Sequence, residues 1–130
     1  MDILIDRKRL FKTLAFFTIL LFVANYLALK FYWYYSIWWS DMLMHFLGGI
    51  CLGLFLIWLL SYKNSSLEIN LRLICKIFLG VFFIGIFWEL YEVLFNNIIA
   101  QIPFDALDTI HDIFFDLSGG LCAILYLWKK

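Results

Sequence analysis

Acidic and histidine side chains near the end of the 130-residue chain recur at the spacing of one helical face. They lie at offsets of 0, 3, 4 and 8 residues: Asp108, His111, Asp112 and Asp116. At about 1.5 Å per residue, the three carboxylates form a stripe about 12 Å long. Carboxylate and imidazole together suit Zn²⁺, Mn²⁺ or iron, and either group can act as a general acid or base. The pattern predicts a face that binds metal or transfers protons.

Two earlier stretches carry the same kinds of side chain at helical spacing. Asp41 and His45 are four residues apart, and Glu89 and Glu92 are three apart. In a helix, each pair shares one face. Helical bundles build metal sites from such pairs on facing helices, although the di-iron Glu-x-x-His pattern does not occur here. The pairs therefore predict a divalent metal site whose metal the sequence does not identify.

Four apolar runs must position these side chains. They cover about residues 10–29, 42–60, 74–96 and 109–128, and the chain is 65% hydrophobic with only 15% charged residues. Each run is long enough to cross a bilayer. We therefore expect an all-α polytopic protein, with residues 1–130 forming one membrane domain of four transmembrane helices with short loops. The lipid bilayer is the partner that this composition implies, and nothing in it indicates a nucleic acid.

The segments between the runs are short. Residues 1–9 form a charged tail, and residues 61–72 a polar turn and linker. The aromatic stretch 31–40 predicts an interfacial belt, because Tyr and Trp favour the membrane–water boundary. Either Asp105 or Asp108 can cap the fourth helix, and the choice decides whether these acids join the site.

Glycines occur in the second and fourth runs at positions that would face another helix. Gly49 and Gly53 continue the face of Asp41 and His45, and Gly119 and Gly120 follow Asp116. Small residues allow membrane helices to approach closely. We therefore expect another helix to approach closely at each of these two sites.

Basic residues are distributed asymmetrically between the two ends of the four runs. Nine share one side: Arg7, Lys8, Arg9, Lys12, Lys63, Arg72, Lys76, Lys129 and Lys130. Lys30 alone lies on the other side. The positive-inside rule then places both termini in the cytoplasm, in a multi-pass protein of the cell membrane, expected to be a bacterial inner membrane.

The acids converge on the opposite, outer side. Six carboxylates and two imidazoles would lie at one depth: Asp41, Glu89, Glu92, Asp108, Asp112 and Asp116 with His45 and His111. An acid as deep as Glu89 or Asp116 costs about 2–3 kcal/mol on insertion scales. So many like charges cannot all remain ionised in a low-dielectric environment. Bound metal, bound protons or a cationic ligand must therefore compensate them.

These residues also form motifs with a family likeness. The motifs are Asp41-x-x-x-His45-x-x-Gly48, Trp88-Glu89-x-x-Glu92 and Asp108-Thr109-x-x-Asp112-x-x-x-Asp116-x-x-Gly119. Together they resemble the small YjdF-like inner-membrane family and, more distantly, the VanZ-like family, which is linked to glycopeptide-antibiotic resistance. The likeness covers roughly residues 41–123. It implies that the polar set acts as one unit, and it assigns no reaction.

Three classes of function fit this pattern. The favoured class is a metal-dependent hydrolase or transferase that acts on a lipid or lipid-linked phosphate. The alternatives are an envelope, resistance or assembly protein with a structural ion, and a cation or proton conduit that would need an oligomer. The predicted metal ligands are Asp41, His45, Glu89, Glu92, Asp112 and Asp116. The predicted catalytic residues are Glu92, His111, Asp112 and Asp116.

Overall fold

Four long helices dominate the computed structural model, which describes residues 2–63 and 66–129. The elements in chain order are β1 (Asp2–Leu4), α1 (Arg7–Lys30), α2 (Trp33–Ser36), α3 (Ser40–Lys63), β2 (Ser66–Glu68), α4 (Leu71–Phe95), a π-helical turn (Asn96–Ala100) and α5 (Ala106–Trp128). The helices α1, α3, α4 and α5 are each long and apolar enough to cross a membrane. The predicted all-α class with four spans is therefore confirmed.

Each long helix begins two or three residues before the predicted apolar run, because polar residues start it. Asp6 accepts hydrogen bonds from the backbone N–H groups of Lys8 and Arg9, and Asn70 accepts one from Leu73. Asp105 accepts one from Leu107, so Asp105 rather than Asp108 caps α5. Hydropathy marks only the apolar part of a helix, whereas the cap marks its first turn.

A two-stranded antiparallel sheet joins the N-terminal segment to the α3–α4 connection. Ile3 is paired with Leu67, and Leu67 and Ile5 are buried. The prediction of a plain charged tail at 1–9 and a plain linker at 61–72 was wrong here, because three-residue strands are too short to show an alternating pattern. Residues 64 and 65 of that linker, and Lys130 of the basic set, lie outside the described residues.

Helices α3 and α5 form the most extensive contact in the bundle. A methyl group added to Gly49 would collide with the backbone oxygen of Asp116, and one on Gly119 would collide with that of Phe46. A methyl group on Gly53 would lie 2.7 Å from the Cβ atom of Ala123. Close helix approach at these glycines was predicted, and the structure identifies α3 and α5 as the partners. In addition, α1 packs on α3, and α4 packs on α5.

The interior of the bundle has two parts. Near the sheet it is apolar except for Ser61, whose buried hydroxyl donates to the carbonyl oxygen of Trp58. We call this part the apolar half; its members include Leu54, Ile57, Ile77 and Leu127, all at most 2% exposed. Towards α2 the buried side chains are polar: Ser40, His45, Glu89, Asp112 and Asp116. We call this part the acidic half.

The aromatic stretch between α1 and α3 contains the short helix α2. Tyr35 and Trp38 are 88% and 80% exposed, as expected of an interfacial belt. Tyr34 instead points inward and donates a hydrogen bond of 2.6 Å to Oδ1 of Asn25 in α1. This bond ties the belt to the end of the first helix.

Candidate metal centre

The imidazole of His45 lies at the middle of the acidic half. It projects from the second turn of α3 and is buried. Its Nε2 atom lies 3.9 Å from Oδ1 of Asp41, one turn earlier on the same helix. The same atom lies 3.7 Å from Oε1 of Glu89 on α4 and 3.7 Å from Oδ2 of Asp112 on α5. Three helices therefore present carboxylates to one nitrogen.

The other ring nitrogen faces a single carboxylate. Nδ1 of His45 lies 3.3 Å from Oδ1 of Asp116, one helical turn beyond Asp112. Gly85 leaves room for that carboxylate, because a methyl group there would lie 2.8 Å from its Oδ2 atom. The sequence thus supplies a glycine on α4 where the Asp116 side chain must fit.

The distances around Nε2 exceed those of hydrogen bonds. Nitrogen–oxygen hydrogen bonds are about 2.7–3.2 Å long, so separations of 3.7–3.9 Å are not direct bonds. Two atoms that share one Zn²⁺ at about 2.0–2.2 Å each lie no more than about 4.4 Å apart. One ligand atom each from Asp41, His45 and Asp112 lies within 4.8 Å of the others, as does one each from His45, Glu89 and Glu92. The distances from Nε2 to the oxygens of Asp41, Glu89 and Asp112 fall within the 4.4 Å limit, which makes both trios candidate metal sites.

Two buried carboxylate oxygens in this cluster have no hydrogen-bond partner among the described residues. They are Oδ1 of Asp112, whose residue is 1% exposed, and Oε1 of Glu89, whose residue is 6% exposed. Buried polar atoms are almost always satisfied, and an unpaired charged one is costly. A cation held by Asp41, His45 and Asp112 would satisfy the Asp112 oxygen.

An open cleft of about 510 Å³ lies beside the cluster, between the end of α4 and the start of α5. Its polar lining includes Glu89, Glu92, Asn96, Asn97, Asp105 and Asp108. Its apolar lining includes Val93, Ile102, Pro103 and Phe104. We call it the acidic cleft. It reaches the buried cluster at Glu89 and Glu92, which belong to both.

The predicted residues divide into three groups. The cluster brings together Asp41, His45, Glu89, Glu92, Asp112 and Asp116. Asp105 and Asp108 line the acidic cleft, outside both trios. His111 is exposed, and no ion pair found in residues 2–63 and 66–129 includes it.

Two neighbours of the cluster were not predicted from the sequence as site residues. Thr109 lines the acidic cleft together with Glu89, across the α4–α5 contact. The hydroxyl of Tyr34 lies at the edge, where burial raises its pKa above the usual 10.0 and the carboxylates of Asp41 and Glu92 raise that pKa further. Thr109 stands inside the Asp-Thr-x-x-Asp motif, which was the available signal, whereas a Tyr within an aromatic belt gives none.

The basic residue of this end does not neutralise the cluster. The Lys30 ammonium lies 6.0 Å from the ring centre of Tyr26 and 5.7 Å from that of Phe31. In the part of the chain that the structure describes, no Lys or Arg forms an ion pair with a cluster carboxylate. Among these residues, His45 is therefore the only group able to carry positive charge in contact with the four carboxylates around it.

Comparison with known families agrees with the membrane-protein fold. The model of the family described as "Predicted membrane protein (DUF2238)" matches residues 2–130. The chain belongs to this family. Comparison with curated proteins and with solved structures gave no match.

Proposed function

We propose that this integral membrane protein binds a divalent metal ion through His45, Asp41 and Asp112. The observation that carries the proposal is the unpartnered, fully buried Oδ1 of Asp112, in a carboxylate that faces Nε2 of His45 at 3.7 Å. One imidazole and two carboxylates with a further open position match the donor number of catalytic zinc sites, and the same donors suit Mn²⁺.

Asp116 has a different role in this proposal from the one expected of a ligand. It faces Nδ1, on the opposite side of the ring from the three other carboxylates. A carboxylate that accepts the Nδ1–H of a ligating histidine fixes its tautomer and orientation and increases its basicity. Asp116 thus positions His45, and Gly85 leaves the room that its carboxylate needs.

The acidic cleft favours an enzyme over a purely structural ion site. Structural metal sites are closed, whereas catalytic ones keep a position for water or substrate. Here the cleft reaches the cluster at Glu89 and Glu92, so one side of the centre is accessible. A bound divalent ion would polarise a phosphoryl oxygen and supply a nucleophilic water. Glu92, on the cleft side, is the candidate to accept a proton from that water.

A lipid or lipid-linked phosphate is the substrate class that suits this position. The cluster lies near the helix ends: Asp112 is about 9 Å, about six residues, into α5. The exposed aromatic side chains of the α2 region lie at the same end of the bundle, where head groups are expected. The proposed reaction is a metal-dependent hydrolysis or transfer at that depth, and it does not use His111.

A cation or proton conduit receives less support. Ile57, Ile77 and Val81 are completely buried in the apolar half. A pathway for ions across the bundle would have to pass these side chains, which offer no polar atoms. The YjdF-like and VanZ-like resemblances do not choose between an enzyme and an assembly protein.

Metal analysis of the purified protein tests the proposal. We expect about one Zn²⁺ or Mn²⁺ per chain, and an increase in unfolding free energy of about 2.7 kcal/mol when the free ion is at about a hundred times its Kd. Asp112→Asn should abolish both effects. Asp108→Asn, the same change one turn earlier at an exposed position, should retain both. Metal content that is equal in the two variants would contradict the proposed ligand set.

Stability of Asp112→Asn in a chelator then separates a functional ion from a structural one. If the ion serves chemistry, the variant without metal should unfold at the same temperature as the wild type without metal, or higher, because a buried unpartnered charge has been removed. If the variant fails to fold while the metal-free wild type folds, the carboxylate itself is a structural element and the enzyme proposal is wrong.

A further inference from the structure

The acidic cleft offers negative charge and hydrogen-bond acceptors to whatever enters it. Four carboxylates and two carboxamides line it, and none of its described lining residues is basic. A primary ammonium group carries three N–H donors and one positive charge, which such a lining can satisfy. A head group with only negative charge would be repelled. The lining therefore selects a cation.

The size of the cleft exceeds what a metal ion needs. Its volume of about 510 Å³ is in the range of small-molecule sites. A metal ion with six waters occupies about 180 Å³, at about 30 Å³ per water. The cleft can therefore admit a ligand larger than a hydrated ion.

One wall of the cleft is apolar and continues onto exposed surface. Ile102 and Phe104 both line the cleft and are about half exposed, at 49% and 58%. They lie on the connection between the π-helical turn and α5, at the head-group end of the bundle. A ligand with a cationic group and an apolar body can contact both walls at once. An amine-bearing lipid has that structure.

An unpartnered side chain lies where the cleft meets the interior. Glu89 is 6% exposed and lines the cleft. Its Oε1 atom, which faces Nε2 of His45 at 3.7 Å, has no hydrogen-bond partner among the described residues. Thr109 also lines the cleft but does not bond to Oε1, so this oxygen of Glu89 still needs a donor. A donor that enters through the cleft can meet it. This observation distinguishes the cleft from an ordinary acidic surface.

We propose that the acidic cleft binds the ammonium group of a lipid head group, such as that of phosphatidylethanolamine. The role of this lipid as substrate rests on the proposed function, in which its phosphate would meet the metal centre. Binding of the ammonium group itself does not require the metal. The selected class is thus an amine-bearing lipid, and not an anionic lipid.

Competition between lipids of defined head group tests this inference. The full-length protein in a neutral detergent is mixed with phosphatidylethanolamine or phosphatidylglycerol, and bound lipid is counted by native mass spectrometry. We expect about tenfold preference for phosphatidylethanolamine, the ratio that one charge-assisted hydrogen bond supplies. Equal binding, or preference for phosphatidylglycerol, would overturn the inference.

A double variant connects the preference to the cleft. Asp105→Asn with Asp108→Asn removes two negative charges while Asn still caps α5, and it leaves Asp41, His45 and Asp112 untouched. The matched control is Asp6→Asn with Glu68→Gln, which removes two charges at the opposite end and keeps the cap of α1. The preference should disappear in the first and persist in the second. A preference that survives the first overturns the assignment to the cleft.

Two further measurements distinguish failure of the lipid inference from failure of the proposed metal centre. Free ethanolamine at millimolar concentration should not displace the lipid; if it does, the ligand is a soluble amine and the lipid inference fails. Metal content of each variant is measured in parallel. Metal without lipid preference refutes this inference alone, whereas lipid preference without metal refutes the metal centre and leaves this inference intact.

Discussion

The apolar half and the acidic half are equally well buried but have opposite chemistry. In the apolar half, Ile57 and Ile77 are 0% exposed and have only apolar neighbours in their cluster. In the acidic half, Asp112 is 1% exposed and one of its oxygens has no partner among the described residues. The apolar half thus stabilises the fold through packing, whereas the acidic half retains the free-energy cost of a buried carboxylate oxygen without a partner. A small bundle that keeps such a cost in its interior is expected to use the group that causes it.

The difference between the halves also appears in formal charge. Seven of the ten acidic residues lie in the acidic half or its cleft: Asp41, Glu89, Glu92, Asp105, Asp108, Asp112 and Asp116. Lys30 is the basic residue of that end, and its ammonium lies over aromatic rings. The chain as a whole has a formal net charge of zero, so net charge conceals the separation. The arrangement attracts cations to one end only.

Substitution in the apolar half should have the largest effect on stability and no effect on metal binding. Ile77→Ala removes a fully buried side chain and should lower the free energy of unfolding by about 2–5 kcal/mol. The control is Leu79→Ala on the same helix, which is 54% exposed and should cost much less. Thermal unfolding in detergent, with chelator and with Mn²⁺, measures both. A loss for Ile77→Ala that depends on metal would show that the two halves are coupled.

Glycine substitution at the boundary of the halves should have the next largest effect. Gly49→Ala places a methyl group against the backbone oxygen of Asp116, which cannot rotate away, and should cost about 1–3 kcal/mol. Gly48→Ala, one residue earlier, would meet Oδ1 of Asp116 only at 4.0 Å. It should be neutral or stabilise α3 by up to about 1 kcal/mol, because Ala favours the helix. Unfolding temperatures of the pair give the comparison. Equal losses would mean that the α3–α5 contact is looser than the glycines indicate.

The fold and the composition of the cluster could be predicted because both depend on strong local patterns. Four apolar runs give four helices, and alternating helix direction then brings the ends of α3, α4 and α5 together. The acids at those ends, such as Asp41 and Glu89, therefore had to meet. Helical spacing also placed Asp112 and Asp116 on the inward face of α5, as found.

Other features depend on tertiary geometry that spacing alone does not encode. His111 is exposed although the predicted stripe included it. It directly precedes Asp112, and neighbouring positions on a helix are about 100° apart. Because Asp112 and Asp116 occupy the inward face, His111 lies outside it. The roles of the two His45 nitrogens also required coordinates, since nothing in the sequence assigns Asp112 to one nitrogen and Asp116 to the other.

Loss of one hydroxyl at the edge of the acidic half should have the smallest effect. Tyr34→Phe removes the hydrogen bond to Asn25 and should cost about 0.5–1.5 kcal/mol at neutral pH. Tyr35→Phe is the matched control, because the side chain of Tyr35 is 88% exposed and its hydroxyl should contribute almost nothing to stability. Unfolding temperatures in detergent measure both variants. Equal stability of the two would mean that the bond to Asn25 does not hold the belt to α1.

Tyr34→Phe also tests whether the carboxylates of the acidic half act electrostatically on the Tyr34 hydroxyl. Burial, with Asp41 and Glu92 nearby, raises the pKa of Tyr34, so its hydroxyl ionises at higher pH in the folded protein than in the unfolded one. The stability that neutral Tyr34 contributes is therefore present below the unfolded pKa of about 10 and is lost as the pH rises through the folded pKa. The alkaline loss of stability should be smaller in Tyr34→Phe than in the wild type. Identical alkaline profiles for Tyr34→Phe and the wild type would place Tyr34 outside the field of the acidic half, because the carboxylates would then not oppose its ionisation.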